Sequence, residues 1–152
     1  MQAKYRKFSE KQNLAYQPKR ATVEGYRRIS VKDLQNLENR DILKKKIANG
    51  EISLKINPEK QNRHVLGTKE YKNGRSYITI SIDEAESIVE SKYATGKVTV
   101  SKSGQIKETL FENKIIGMDL DFDGSEHETN GFKIHYSKTG THIVPYRKRD
   151  EE

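Results

Sequence analysis

Two helical segments followed by a run of alternating strands predict an α+β fold: N-terminal helices packed on an antiparallel β-meander of four to five strands. Three observations carry this reading. Apolar residues recur at helical spacing over 31–48 and 81–96, the apolar period changes to two beyond Gly96, and the later segments are joined by short, turn-rich links.

Residues 1–29 mix bases, glutamines and tyrosines without an apolar period and read as a basic flexible arm or linker. Ser30 then offers an N-cap with Asp33 three residues on, and Val31, Leu34 and Leu37 follow at helical spacing. The phase breaks at Arg40-Asp41 and resumes with Ile42, Leu43 and Ile47 before Asn49-Gly50, so two short helices or one kinked helix are expected over 31–48. "EISLKINP" alternates Ile52, Leu54 and Ile56 up to Pro58, a short strand or extended connector. "SIDEAESIVESKYATG" predicts another helix capped by Asp83, with Ala85, Ile88, Val89 and Tyr93 on one face and Gly96 at its end. Strands are expected over 97–101 and 105–111 around a Ser-Lys-Ser-Gly hairpin turn, then over 113–122, 131–137 and 141–146. Within 113–122, Ile116, Met118, Leu120 and Phe122 alternate with Asp119 and Asp121. The folded domain is thus placed at 30–146, with a charged tail over 147–152.

The 152 residues allow one domain plus a tail. Only 32% are hydrophobic and 34% are charged, with a mean hydropathy of −0.96, so part of the chain is expected outside a packed core. No apolar run approaches the roughly 18 residues of a membrane span, and no signal sequence opens the chain; export is expected only as a piece of something larger. The absence of cysteine removes disulfides, thiolate nucleophiles and thiolate zinc sites together. The net charge of +7 favours a polyanionic partner, nucleic acid first.

"DLDFDGSEHETN" begins like a calcium loop at Asp119, Asp121, Asp123 and Gly124, but its twelfth position is Asn130 and its flanks read as strands. These three acids are expected on the wet face of a strand entering an Asp-Gly turn, with His127 solvated in that turn. His64 follows Lys60, Gln61 and Arg63 in a stretch of no strong period, closed by Gly67-Thr68. Neighbouring bases lower a histidine's proton affinity and attract phosphate, although an idle surface histidine accounts equally well for these residues.

"FKIHYSKTGTHIVPY" places His135 and His142 around a Ser-Lys-Thr-Gly turn. Gly140 suits the left-handed position of a three-residue loop, which pairs Ser137 with Thr141 and sets His142 beside Tyr136. A two-residue Lys-Thr loop would set His142 opposite His135 instead. The three-residue loop is favoured, which puts the two histidines on opposite faces, so no metal site and no cofactor is assigned. What remains is metal-free acid–base chemistry. Cleaving RNA through its own 2′-hydroxyl needs a base, an acid and cations for the phosphate. His64, His142, Lys60, Arg75 and the hydroxyls of Tyr136, Ser137 and Thr141 supply that inventory.

Taken together, "PEKQNRHVLGTKEY", "GRSYITI", "YATGKV", "NKIIG" and "FKIHYSKTGTHIVP" resemble the polymorphic toxin type 50 family, also called bacterial toxin 50, from about Ile52 to Pro145. The resemblance implies a ribonuclease toxin of the barnase-like and EndoU-like fold, with helices ahead of an antiparallel sheet whose concave face binds RNA. It also implies placement at the C-terminus of a larger delivery protein, action in a target-cell cytoplasm, and a cognate immunity protein. Similar domains end phage minor head proteins. Carried over by motif, the catalytic candidates are His64, His142, Lys60, Tyr136 and Thr141. The substrate-binding candidates are Gln61, Arg63, Arg75, Ser76, Ser137, Lys138 and His135. A non-catalytic nucleic-acid-binding or virion module is the alternative reading, and a DNase a third.

Overall fold

The structure is a computed structural model and describes residues 29–148. The chain divides into two compact units, Met1–Leu34 and Gln35–Glu152. Of the expected arm only Ile29 is described, and of the expected tail only Arg147 and Lys148; the rest of both lies outside the described residues.

One continuous helix, α1 (Val31–Ala48), occupies the span where two helices or a kink were in question. Ser30 caps it as expected, its Oγ accepting from Asp33 N at 3.0 Å. Beyond a connector come α2 (Pro58–Asn62), β1 (Tyr77–Ile78) and α3 (Ile82–Lys92), then β2 (Lys97–Val100), β3 (Ile106–Phe111), β4 (Gly117–Leu120), β5 (Glu126–Thr129), β6 (Gly131–His135) and β7 (His142–Tyr146). The cap of α3 is Ser81 and not Asp83: Ser81 Oγ accepts from Glu84 N at 3.0 Å, and Asp83 sits one residue inside the helix.

The α+β class holds, but the single meander is corrected to two antiparallel sheets: β1-β4-β5 and β2-β3-β6-β7. Two strands escape the periodic signal. β5 reads Glu-His-Glu-Thr and has no apolar alternation, and β1 has only two residues. The expected polarity of β4 is also inverted. Asp119 is buried, whereas Met118 and Leu120 are only half-buried. Asp119 can turn inward because Ser76 Oγ donates to its Oδ1 at 3.0 Å and the Arg147 guanidinium lies 3.5 Å from its Oδ2. Gly117 permits this arrangement, since a Cβ there would stand 2.5 Å from Tyr77 O and 2.7 Å from Pro145 Cγ.

A single core joins Leu43 of α1, Ile52 and Ile56 of the connector, Ala85, Ile88 and Val89 of α3, and the inward residues Val98, Ile106, Leu110, Phe132, Ile134 and Ile143 of the four-stranded sheet. The edge strand β2 is closed by side chains of α1. Asn36 Oδ1 accepts from Val98 N at 2.8 Å, and Asn39 Nδ2 donates to Val98 O at 2.9 Å. With its inner face filled and β2 covered, the sheet presents the outer face of β6 and β7 as a working surface.

Candidate active site

The register of β6 and β7 decides which side chains meet. His135 pairs directly with His142, so both histidines stand on one face, contrary to the expectation of opposite faces. Ser137 does not pair with Thr141. Ser137 O accepts from Ser53 N at 3.0 Å; Thr141 N donates to Lys55 O at 2.8 Å and Thr141 Oγ1 to Ser53 O at 2.8 Å. The loop opens around the connector, and these distant partners outweigh the local turn preference of Gly140. That glycine does have positive φ (+119°), and a Cβ there would lie 2.8 Å from Asn57 Cβ.

Asn57 also starts α2, the helix that the sequence reading missed. Its side chain accepts from Lys60 N at 3.1 Å, and Pro58 occupies the first turn, where a missing N–H costs nothing. The signal was an Asn-Pro-Glu start, hidden because Pro58 also reads as the end of a strand. Gln61 fastens α2 to β7: Nε2 donates to Ile143 O at 3.0 Å, and Oε1 accepts from Ile143 N at 2.8 Å. Gln61 is fully buried, so it positions the neighbouring helix and is not part of the cavity wall. Gln61→Leu leaves both Ile143 groups without partners and is expected to lower unfolding free energy by about 2–4 kcal/mol, read from urea denaturation.

This clip brings His64 alongside His142. Their rings are near parallel (13°) with centroids 5.7 Å apart, and the His135 ring lies 4.8 Å from that of His142. An open cavity of about 470 Å³ is lined by these three rings with Lys60, Arg63, Arg75, Gln105, Tyr136 and Ser137. It has three cations and no carboxylate in its wall. Lys60 is held there by the Ser137 and Thr139 hydroxyls, each 3.1 Å from its Nζ.

The other candidates are placed differently. Thr141 is buried with its hydroxyl on Ser53. The Tyr136 hydroxyl points inward to Glu108 at 2.6 Å, and burial first, then the Glu108 charge, pushes its pKa above the ordinary value. Ser76 reaches the site through its main chain, its carbonyl lying 2.9 Å from His64 Nδ1. Lys138 is exposed and outside the cavity wall. Gln105 was not foreseen. The alternation of β3 would have found it, because 105, 107 and 109 share a face and Lys107 pairs with His135. His127 also departs from the reading: it lies in β5 with Nε2 2.8 Å from Asp121 Oδ2.

Burial lowers all three imidazoles. His142 falls to about 3, pushed further by the His135 and His64 rings and then by Lys60 and Arg63. His135 falls to about 4, with Lys107, His64 and Lys133 adding to burial. His64 is lowered by burial, partly offset by its bond to Ser76, and again by Arg75 and Arg63. At neutral pH the free protein therefore presents neutral rings. A carbonyl only accepts, so His64 carries its proton on Nδ1 and leaves the Nε2 lone pair open. His64 thus offers an unprotonated nitrogen as a base. His142 Nδ1 is buried without a partner.

The same shifts predict acid sensitivity. The unfolded histidines protonate near 6.5, whereas folded His135 and His142 wait until about 4 and 3. The unfolded chain thus binds protons first, and this stability is complete above pH 6.5 and lost as pH falls through that window. Allowing for solvent screening, the loss is about 1 kcal/mol per histidine between pH 6.5 and 5. Urea denaturation against pH checks this, and H135Q/H142Q should flatten the slope.

Among the described residues no three His, Asp or Glu side chains converge as a metal-ligand set, and no helix is long and apolar enough to cross a membrane. Neither a curated protein nor a solved structure matches the chain. The profile of the family described as bacterial toxin 50 matches residues 56–145, more than half of the chain, and takes in every residue that lines the three-histidine cavity. The chain belongs to the bacterial toxin 50 family.

Proposed function

We propose that the domain is a metal-independent endoribonuclease toxin that cleaves RNA through its own 2′-hydroxyl. The observation that carries this reading is the pair of near-parallel imidazoles, His64 and His142, inside a cationic cavity that has no carboxylate in its wall. His64 Nε2 takes the 2′-hydroxyl proton, and the 2′-oxygen attacks phosphorus. The P–O5′ bond breaks as a protonated His142 gives its Nε2 proton to the leaving oxygen, yielding a 2′,3′-cyclic phosphate and a 5′-hydroxyl. Lys60, Arg63 and Arg75 stabilise the crowded phosphate.

With a pKa of about 3, only about one His142 in 10⁴ is charged at pH 7 in the free protein. Substrate phosphate must therefore charge it, which couples proton uptake to binding. Ser137 and His135 complete the phosphate contacts, while Tyr136, Thr141, Gln61 and Ser76 frame them. The partners on this reading are RNA and a cognate immunity protein that covers the cavity, and the domain acts after delivery into a target cell.

Incubating the folded protein with total RNA and with single-stranded DNA in excess chelator tests the proposal. Cleavage of RNA alone, abolished in H64A/H142A, is expected. Intact RNA with salt-dependent binding would instead support a non-catalytic nucleic-acid module.

A further inference from the structure

A second and larger cavity, about 970 Å³, adjoins the first. Arg75 lines both. Its other walls come from Asn73-Gly74, the β4–β5 turn Leu120–Gly124, and Arg147-Lys148 after β7. Phe122 projects from that turn fully exposed, with a relative accessibility of 111%. A phenylalanine at this exposure gains nothing for the fold, since its ring contributes no buried area. The turn itself does not need it: Gly124, at φ +88°, supplies the reversal, and Asp121 N and Ser125 O close it at 3.0 Å.

The base of the turn is rigid where its tip is not packed. Asp121 accepts from Arg147 at 2.9 Å and lies 2.8 Å from His127 Nε2, while Asp119 ties the same arginine to Ser76, whose carbonyl holds His64. One network of side chains thus fixes the position of the Phe122 turn relative to His64. The cavity combines an unpacked aromatic face, a guanidinium shared with the three-histidine cavity, two further cations, Arg147 and Lys148, and the carboxylates of Asp121 and Asp123.

We infer that this cavity is a nucleobase subsite, in which Phe122 stacks on a base of the RNA next to the scissile phosphate held at Arg75. The inference rests on the ribonucleic-acid reading above and deepens it by giving the site a second point of contact. A base–aromatic stack is sequence-tolerant, so it adds affinity and register without demanding one base. The linking phosphate lies against the arginine that both cavities share.

The test uses the full chain and a short fluorescein-labelled oligoribonucleotide carrying 2′-O-methyl at every position, which no 2′-hydroxyl mechanism can cut. Binding is read by fluorescence anisotropy at several salt concentrations. F122A is expected to weaken binding by about five- to 100-fold with an unchanged salt slope, because a stack and not a phosphate contact is lost. F122W should restore it. A matching oligonucleotide with abasic positions should bind the native chain and F122A equally. Because Phe122 is exposed, thermal melts of F122A should match the native chain. Unchanged affinity in F122A, or no binding by the native chain, overturns the subsite; the first result would leave Phe122 to a protein partner. A chain that binds with Phe122 dependence yet leaves unmodified RNA intact would sink the catalytic reading and keep the subsite.

Discussion

Replacing His64 by alanine is expected to lower kcat on RNA by about 10²–10⁴-fold, the usual worth of a positioned general base. The ring stands on three separate supports. Its Nδ1 bonds to Ser76 O, and its own backbone N donates to Gln61 O while its carbonyl accepts from Ile78 N, each at 2.9 Å. Alanine keeps the two backbone bonds, so the fold should survive and the loss should fall on kcat more than on KM. H64Q offers a further check, since a glutamine can bond to Ser76 O but cannot take up a proton. Equal losses in H64A and H64Q identify proton transfer, whereas rescue by H64Q identifies positioning. The acid limb of the kcat/KM profile should disappear in both variants, because that limb reports protonation of the base in the free protein.

The second large effect concerns stability and lies on the other face of the sheet. Glu108 is 1% exposed, yet each of its oxygens is held. Oε1 accepts from Ala94 N at 2.9 Å and from the Tyr136 hydroxyl at 2.6 Å, and Oε2 accepts from Gly96 N at 2.6 Å. The carboxylate thereby fastens the chain after α3, where Ala94 takes a left-handed φ of +65°, to the centre of the sheet. Removing it in E108A leaves two buried donors and the half-buried Gly96 N unpaired, and a loss of about 3–5 kcal/mol is expected by urea denaturation. Y136F removes one donor and keeps the rest, so a loss of about 1–2 kcal/mol with near-native kcat is expected. A collapse of kcat in Y136F without loss of stability would restore this tyrosine to the reacting groups.

Much of the scaffold is legible in the sequence wherever burial imposes a period. Val98, Ile106, Leu110, Phe132, Ile134 and Ile143 all point inward as the alternation implies, and Ala85, Ile88 and Val89 mark the face of α3; on α1 the expected face is corrected, since Leu43 is buried but Val31, Leu34, Leu37 and Ile42 are exposed. Legibility ends where satisfaction is non-local. Asp119 reads as solvent-facing until Ser76 and Arg147, from distant parts of the chain, arrive to pair it. The hairpin loop reads as three residues until the connector Ser53–Asn57 takes the bonds of Ser137 and Thr141. That connector reverses the sequence-level conclusion about His135 and His142, which share a face after all. Helix α2 shows the same limit in miniature. Five residues carry no period, and only the Asn57 cap with Pro58 announces it.

The site divides along the same line. His64 and His142 were paired by motif resemblance, since 78 positions of chain separate them and no local pattern joins them. Their meeting depends on Gln61, whose amide was read as a substrate contact and instead completes the edge of β7.

The most direct test of the central claim is the chemistry of the ends left on a labelled oligoribonucleotide cut by the protein in excess chelator. The proposed acid–base roles of His64 and His142 predict 2′,3′-cyclic phosphate and 5′-hydroxyl ends, and no cut at a position where the 2′-oxygen is methylated. Fragments bearing 5′-phosphate and 3′-hydroxyl ends, or cleavage that persists at the methylated position, would contradict it.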